Sequence, residues 1–238
     1  MTGDSFSDRN VIDAWLENAA PWTDAVRGRK IESRNLVTDN AILSAVTSRK
    51  PATVLDIGCG EGWLARALAE RGVKVVGVDV VPELIEKAKS AGGGDFRTAS
   101  YEQIAEGGLD VKADVVVANF SLIGKEAVDG VIRRVPQLLE KDGTLIIQTL
   151  HPVIANEGEP YVDGRREGSW AGCGPTFAKN AAPWYFRTFE TWIKLLRDNG
   201  MHLDELREPV HPATRLPASV IMLAVCIASC PPDNPALS

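Results

Sequence analysis

What is scarce in this 238-residue chain excludes several classes of protein. No apolar run approaches the roughly 20 residues of a transmembrane helix, and the polar N-terminus predicts no signal peptide. The four cysteines form no CxxC pair, so we expect reduced thiols and no metal site. Acidic residues outnumber basic ones by 32 to 26, which argues against nucleic acid or an anionic membrane as the main partner. We therefore expect a cytoplasmic globular protein, either a monomer or a homodimer.

The middle of the chain alternates short apolar runs with helical ones. We predict strands near residues 53–57, 74–79, 95–98, 113–119 and 144–150, with helices near 62–71, 82–90 and 125–140. The apolar runs are continuous, which predicts strands covered on both faces, and the alternation predicts a parallel sheet. Two late strands in succession, near 202–208 and 219–228, predict an antiparallel hairpin at the sheet edge.

The flanking segments have a different character. Helices are predicted near residues 10–20, closed by Pro21, near 37–48 and near 187–199. Residues 151–185 are rich in Gly and Pro without a periodic element, which is typical of a lid or binding loop. We divide the chain into an N-terminal helical segment (1–50), a cofactor-binding core (51–150), a substrate or lid insertion (151–185), a C-terminal helix and hairpin of the same domain (186–230) and a loose tail (231–238).

Three glycines at alternate positions, Gly58, Gly60 and Gly62, follow the first predicted strand. The first two let the backbone turn sharply and approach a ligand without a Cβ in the way. A dinucleotide-binding fingerprint would place its third glycine at the sixth position, counted from Gly58, but Trp63 stands there. The turn therefore suits an adenosine-containing ligand other than a dinucleotide.

Two acids refine this interpretation. Asp56 precedes the turn, where a carboxylate would repel a pyrophosphate but would suit an ammonium group. Asp79 ends the second strand, 79 − 60 = 19 positions after Gly60, where a carboxylate accepts hydrogen bonds from ribose hydroxyls. A sulfonium nucleoside that carries an amino acid would use the turn and both acids.

Four segments in order resemble the motifs of the class I S-adenosylmethionine-dependent methyltransferases. They are residues 54–62 with the glycine turn, 77–79 with the acid, 114–119 on the fourth strand, and 142–147 on the turn and fifth strand. The resemblance covers about residues 50–150. It implies an α/β fold: a Rossmann-like seven-stranded, mostly parallel sheet with helices on both faces and an antiparallel last strand. It also implies S-adenosyl-L-methionine as cofactor.

The resemblance also implies roles for individual residues. Gly58 and Gly60 would pass close to the methionine part of the cofactor, and Asp79 would hold the ribose. Ser100 stands where the family often has an Asp, so adenine recognition falls to Ser100, Tyr101 or backbone groups. Arg34 either pairs with the cofactor carboxylate or is a solvated surface residue. The complete predicted cofactor site is Arg34, Asp56, Gly58, Cys59, Gly60, Asp79, Val80, Ser100, Tyr101, Asn119 and Phe120.

The acceptor is less clearly marked, because methyl transfer needs mainly orientation and a dry site. The segment 119–122 lacks the prolines of the DNA amino-methyltransferases, and we find no motif of the cytosine-C5 or protein-arginine enzymes. This leaves a small-molecule acceptor, or a protein acceptor for which the sequence carries no recognisable motif. His151, directly after the fifth strand, is the candidate catalytic base; the alternative is a histidine that hydrogen-bonds the loop backbone. The aromatic run 183–188 either closes over the acceptor or staples the loop to the core.

Two other functions remain open at this point. A nicotinamide-dependent oxidoreductase shares the strand–turn–helix–strand unit but needs the missing third glycine. A non-catalytic S-adenosylmethionine-binding protein would hold the cofactor without transferring its methyl group.

Overall fold

A computed structural model describes residues 7–156, 158–173, 177 and 181–227. It contains nine strands: β1 (Thr53–Ile57), β2 (Lys74–Asp79), β3 (Asp95–Thr98), β4 (Ala113–Asn119), β5 (Leu139–Thr149), β6 (Gly164–Arg166), β7 (Trp184–Phe186), β8 (Met201–Arg207) and β9 (Val220–Cys226). Seven of them form one sheet in the order β3-β2-β1-β4-β5-β9-β8, and β6 pairs with β7 in a separate ribbon. Strands β1 to β5 pair in parallel, whereas β9 is antiparallel to both of its neighbours. The predicted fold class, including the antiparallel last strand, is confirmed.

In the part of the chain that the structure describes, eight α-helices surround the sheet: α1 (Asp8–Glu17), α2 (Ala19–Arg27), α3 (Asp39–Ser48), α4 (Trp63–Ala69), α5 (Pro82–Ala91), α6 (Tyr101–Ala105), α7 (Glu126–Leu138) and α8 (Phe189–Asp198). A π-helical turn, Arg34–Thr38, leads into α3. Among the described residues, no helix is both long enough and apolar enough to cross a bilayer.

The sheet has a buried apolar layer on each face, because successive side chains of a strand point to opposite sides. On β1, Leu55 and Ile57 belong to the cluster shared with α7 and α8, whereas Val54 belongs to the cluster shared with α3, α4 and α5. Burying one such side chain contributes about 1.5–3 kcal/mol. The two layers hold the carboxyl ends of β1, β2, β4 and β5 along one edge, where parallel α/β sheets bind ligands.

The N-terminal prediction was wrong in one respect. Pro21 does not close the first helix; α1 ends at Glu17, and Pro21 lies in the first turn of α2. A proline is tolerated there because the first four N–H groups of a helix have no partner within the helix.

Other differences concern short elements. The predicted featureless stretch 151–185 contains β6 and the start of β7, and α6 was not predicted. Strand β5 begins at Leu139 instead of near residue 144. The tail 231–238 and Cys230 lie outside the described residues.

Candidate active site at the carboxyl edge of the sheet

The glycine turn after β1 is held by the backbone of β2. The N–H groups of Gly58 and Cys59 both donate to the Val78 carbonyl, at 2.8 and 3.0 Å. Gly58 has φ +75°, and a Cβ there would lie 2.3 Å from the Cβ of Ser121. Only glycine fits this position, which brings the turn into contact with the loop after β4.

Asp79, at the end of β2, connects the two sides of this turn. Its carboxylate accepts hydrogen bonds from the N–H of Gly60 and the N–H of Val81, both at 2.9 Å. Burial raises the pKa of Asp79, while these backbone donors act in the opposite direction. Each carboxylate oxygen can accept a further hydrogen bond, so Asp79 can organise the turn and still bind ligand hydroxyls.

Asp56 is a buried carboxylate that forms no ion pair with any described residue. Its side chain is 1% exposed, and neither oxygen has a hydrogen-bond partner among the described residues. Burial raises its pKa to about 7, and the negative charge of Asp79 adds to the shift. A buried polar group without a partner is costly, and such groups cluster at functional sites. A cationic ligand group would satisfy it.

Other polar atoms at this edge also lack partners within the described part of the chain. Two of them, the Oδ1 atom of Asn119 and the Nη2 atom of Arg34, lie near the glycine turn. Arg34 donates through Nε to Asp39 at 3.0 Å, and its guanidinium lies over the rings of Trp22 and Trp63, 5.6 and 4.8 Å from their centroids. The site thus offers unmatched acceptors and an unmatched cationic donor at the same time.

Phe120 has an unusual backbone conformation at the end of β4. Its φ is +53°, which is uncommon for a bulky residue, and its N–H donates to the Gln148 carbonyl at 2.8 Å. Strained conformations of this kind cluster at ligand sites. Here the strained residue forms part of a cavity wall.

Two cavities meet at the glycine turn, where both are lined by Gly58, Gly60, Asn119 and Phe120. The smaller one, here called the slot, has a volume of about 120 Å³ and lies between Asp79, Tyr101 and helices α1 and α2. The larger one, here called the main cavity, has a volume of about 910 Å³ and extends beneath residues 158–173 and 181–187. The shared lining places the two cavities next to each other.

All of the predicted site residues except Ser100 line the slot or the main cavity. Ser100 instead caps α6, where its hydroxyl accepts from the N–H of Gln103 at 3.2 Å. Tyr101 lines the slot, as does Glu102, which the sequence did not single out. Burial raises the pKa of the Tyr101 hydroxyl, which donates to the Ser121 carbonyl at 2.9 Å.

The N-terminal helices cover the site and are fastened to the core. The Asp8 carboxylate accepts from the N–H groups of Lys125 and Ala127 at 3.1 and 2.8 Å, where α7 begins. Because helix N-termini favour anionic groups, this contact anchors α1 across the loop after β4. The sequence carried no local signal for it, since the partners are 117 residues apart or more.

Aromatic rings join the N-terminal helices to the insertion. Trp15 packs edge-on against Trp22 and Trp170, with centroid distances of 5.1 and 5.4 Å. Trp170 stacks on Phe177 at 4.4 Å, and Phe177 also contacts Trp22. The two covers of the site are therefore in direct contact.

Glu61 is a buried residue of the candidate site that the sequence interpretation missed, although it lies inside the glycine motif. It is 1% exposed and accepts from Arg27 at 2.6 Å and from Arg66 at 2.7 Å. These ion pairs tie α2 and α4 to the glycine turn. Breaking a buried pair of this kind leaves an uncompensated charge.

His151 follows β5 and lines the main cavity. Its Nε2 atom lies 2.7 Å from the Glu208 carboxylate, and its ring packs edge-on against Phe189 at 5.3 Å. Its Nδ1 atom is buried and has no partner among the residues that are described. If Nε2 carries the proton donated to Glu208, Nδ1 is the free acceptor. Among the described residues, the ring forms no hydrogen bond with the loop backbone.

The aromatic run near residue 185 fastens the insertion to the core. Arg187 is buried and donates to the carbonyls of Gly124 and Lys125 at 2.9 and 3.1 Å, and to Asp129 at 2.8 Å. The N–H of Tyr185 donates to the Ile123 carbonyl at 2.7 Å. These contacts agree with the staple alternative.

Comparison with known proteins agrees with this architecture. A family model described as a methyltransferase domain matches residues 32–206. The chain is 27% identical over 167 residues to the malonyl-[acyl-carrier protein] O-methyltransferase of Acetivibrio thermocellus, which covers 67% of this chain and 56% of that protein. It is 31% identical over 126 residues to the ubiquinone biosynthesis O-methyltransferase of Pelagibacter ubique, covering 50% of this chain and 51% of the relative. The chain thus spans little more than half the length of these curated relatives.

A solved structure with a similar fold is the 1,6-didemethyltoxoflavin-N1-methyltransferase of Burkholderia thailandensis with bound 1,6-didemethyltoxoflavin and S-adenosylhomocysteine. It superimposes with a TM-score of 0.62 at 21% identity, covering 92% of this chain and 86% of the other. At this identity the likeness establishes the fold alone.

Proposed function

Because this chain belongs to the class I S-adenosylmethionine-dependent methyltransferases, with S-adenosyl-L-methionine as cofactor, we propose that it transfers a methyl group to a small-molecule acceptor in the main cavity. The observation that carries the proposal is the covered cavity of about 910 Å³, which shares a wall with the slot. That volume is typical of small-molecule sites. A site roofed by α1, α2 and residues 158–173 suits a small molecule better than a folded protein or a duplex.

The unmatched polar atoms fit the amino-acid part of the cofactor. We assign its ammonium group to Asp56 and the Oδ1 atom of Asn119, and its carboxylate to the Nη2 atom of Arg34. Charge-assisted hydrogen bonds of this kind are among the stronger ones in proteins. The assignment would give partners to the buried Nη2 atom of Arg34 and to both carboxylate oxygens of Asp56, which have none among the described residues, and this supports it.

The slot fits the nucleoside part of the cofactor. Asp79 retains acceptor capacity for ribose hydroxyls, because its two backbone donors use only part of it. Val80 and Tyr101 supply apolar walls for a flat base, and Glu102 stands at the rim, where it can accept from an exocyclic amino group. None of the described residues that line the slot carries a positive charge, so the slot would not favour a pyrophosphate.

For the acceptor, His151 is the proposed base. The bound cofactor supplies an electrophilic methyl group, so the protein has to orient the acceptor and remove its proton where the acceptor atom carries one. The free Nδ1 atom of His151 can accept that proton, while Glu208 holds the ring from the opposite side. The two named O-methyltransferase relatives make a hydroxyl or carboxyl oxygen the favoured acceptor atom.

The proposal is tested by incubating the purified chain with S-adenosylmethionine and a panel of phenols, hydroxy acids, carboxylic acids and nitrogen heterocycles. Mass spectrometry should detect a methylated product and S-adenosylhomocysteine in equal amounts. Asp79→Asn should weaken cofactor binding and turnover, whereas Asp110→Asn, at an exposed position, should change neither.

The outcomes separate the alternatives. Binding of S-adenosylhomocysteine by calorimetry without product from any acceptor would favour the non-catalytic cofactor-binding protein. Methylation of added protein or nucleic acid, with none of the small molecules, would overturn the small-molecule acceptor.

A further inference from the structure

We infer that the acceptor carries a carboxylate group and that Arg166, on β6, binds it. This inference rests on the proposed transfer to a small molecule in the main cavity, and it adds the chemical class of that molecule. The argument begins with the cations of the cavity wall. Four arginines among the described residues line it: Arg34, Arg165, Arg166 and Arg187.

Three of these arginines already have an anionic partner. The pairs are Arg34 with Asp39 at 3.0 Å, Arg187 with Asp129 at 2.8 Å and Arg165 with Glu126 at 4.0 Å. Arg166 forms no ion pair with any described carboxylate. Within the described residues, the cavity wall therefore pairs three arginines with carboxylates and leaves Arg166 without one, which provides one specific place for an anion.

The contacts of Arg166 position its guanidinium without neutralising it. Its Nη2 atom donates to the carbonyls of Pro160 and Val162 at 3.1 and 3.4 Å, and its Nη1 atom is 3.5 Å from the Arg165 carbonyl. The guanidinium also lies 5.1 Å from the ring centroid of Phe186. A guanidinium has five N–H donors, so these contacts hold the group in place and leave donors for a ligand.

The ribbon of β6 and β7 directs Arg166 inward. Arg166 pairs in register with Trp184, and Gly164 pairs with Phe186, so all four lie on one face of the ribbon. Phe186 is 1% exposed, which identifies this face as the one packed against the protein. Trp184 and Phe186 both line the main cavity, where they place apolar surface beside the guanidinium of Arg166.

The carboxylates of the cavity do not compensate Arg166. Asp56 lies at the glycine turn, and Glu61 is neutralised by its two arginines. Glu159 and Glu167 are exposed, and neither forms an ion pair with Arg166. Because a planar guanidinium matches a carboxylate with two parallel hydrogen bonds, a carboxylate is the anion that this geometry favours.

The test measures binding to the protein loaded with S-adenosylhomocysteine, so it does not depend on turnover. Two acid–amide pairs serve as probes: 4-hydroxybenzoate with 4-hydroxybenzamide, and 3-hydroxybutyrate with 3-hydroxybutyramide. By calorimetry, at least one acid should bind about tenfold to a hundredfold more tightly than its amide. In Arg166→Gln the ratio of the Kd of the amide to the Kd of the acid should fall to about one. Arg166→Lys should retain part of the preference, because it keeps the positive charge but loses the planar pair of N–H donors.

Arg165→Gln is the matched control, since it removes a neighbouring arginine that already has a partner. It should keep the preference for the acid, and all three variants should bind S-adenosylhomocysteine as the wild type does, which verifies folding. The inference is overturned if neither acid is preferred over its amide in the wild type, or if the preference persists in Arg166→Gln. Failure of the proposed function has a different signature, namely the absence of methylated product across the whole acceptor panel.

Discussion

Replacing Asp56 with Asn should stabilise the cofactor-free protein above neutral pH and weaken its binding of S-adenosylmethionine. The two effects have one cause. The carboxylate is buried without a partner beside Asp79, so its charge is unfavourable until a cationic group binds it. Asn has almost the same shape and carries no charge.

The magnitude follows from the pKa of Asp56, which rises from 3.8 to about 7 in the folded protein. A raised pKa means that the folded state holds the proton more tightly than the unfolded state. The stabilisation from this proton is complete below pH 3.8 and is lost as the pH rises through 7. At about 1.4 kcal/mol per pH unit, the loss reaches at most roughly 4 kcal/mol. Asn does not titrate, so its advantage should grow over this interval and then level off.

The assay is urea unfolding of wild type and Asp56→Asn at pH 4.5 and pH 8, together with calorimetric titration of S-adenosylhomocysteine. The advantage of Asn should increase by about 2–3 kcal/mol between the two pH values, and Kd at pH 8 should rise about tenfold or more. An advantage that stays constant or shrinks with rising pH would refute the reasoning.

Asp114→Asn is the contrasting control. Asp114 accepts from the N–H groups of Ala52 and Thr53, both at 2.8 Å, and these contacts lower its pKa. A lowered pKa gives stability that is present above the unfolded value and is lost as the pH falls. The Asn variant at this position should therefore be less stable than wild type at pH 8, opposite in sign to Asp56→Asn.

Three further predictions concern the rest of the site. Arg34→Gln should weaken S-adenosylhomocysteine binding about tenfold in a calorimetric titration. The control Arg29→Gln, at an exposed position, should leave the Kd unchanged. An equal loss of affinity in both variants would show that Arg34 has no specific role. His151→Ala should lower kcat far more than cofactor affinity, and unchanged turnover on the true acceptor would make His151 structural. Glu61→Ala should cost about 1–2 kcal/mol in urea unfolding, because it leaves Arg27 and Arg66 unpaired at the glycine turn while water still solvates part of both side chains; a loss near zero would contradict that account.

The central sheet could be predicted from the sequence because its signals are local. The predicted strands at 53–57, 74–79, 95–98 and 113–119 coincide with β1 to β4, since each is a short apolar run bounded by turn residues. Strand β6 could not be predicted, because three residues show no periodicity. The ribbon it forms with β7 depends on tertiary contacts such as the bond from Tyr185 to Ile123.

The same distinction applies to the site. The glycine turn, Asp56 and Asp79 were predictable because their spacing along one segment carries the chemistry. Glu208 was not, because it meets His151 across 57 residues and follows a strand without any motif. The inferred role of Arg166 was not predictable either, because it rests on the absence of an ion pair between Arg166 and the described carboxylates.

The ring contact between Trp15 and Trp170, at 5.4 Å, has a kinetic consequence. Trp15 belongs to the helix over the slot, and Trp170 belongs to the insertion over the main cavity. Any movement of α1 that is large enough to expose the slot must separate the two rings, and so it loosens the roof over the acceptor as well. We therefore expect exchange of the spent cofactor and departure of the product to be coupled through this contact.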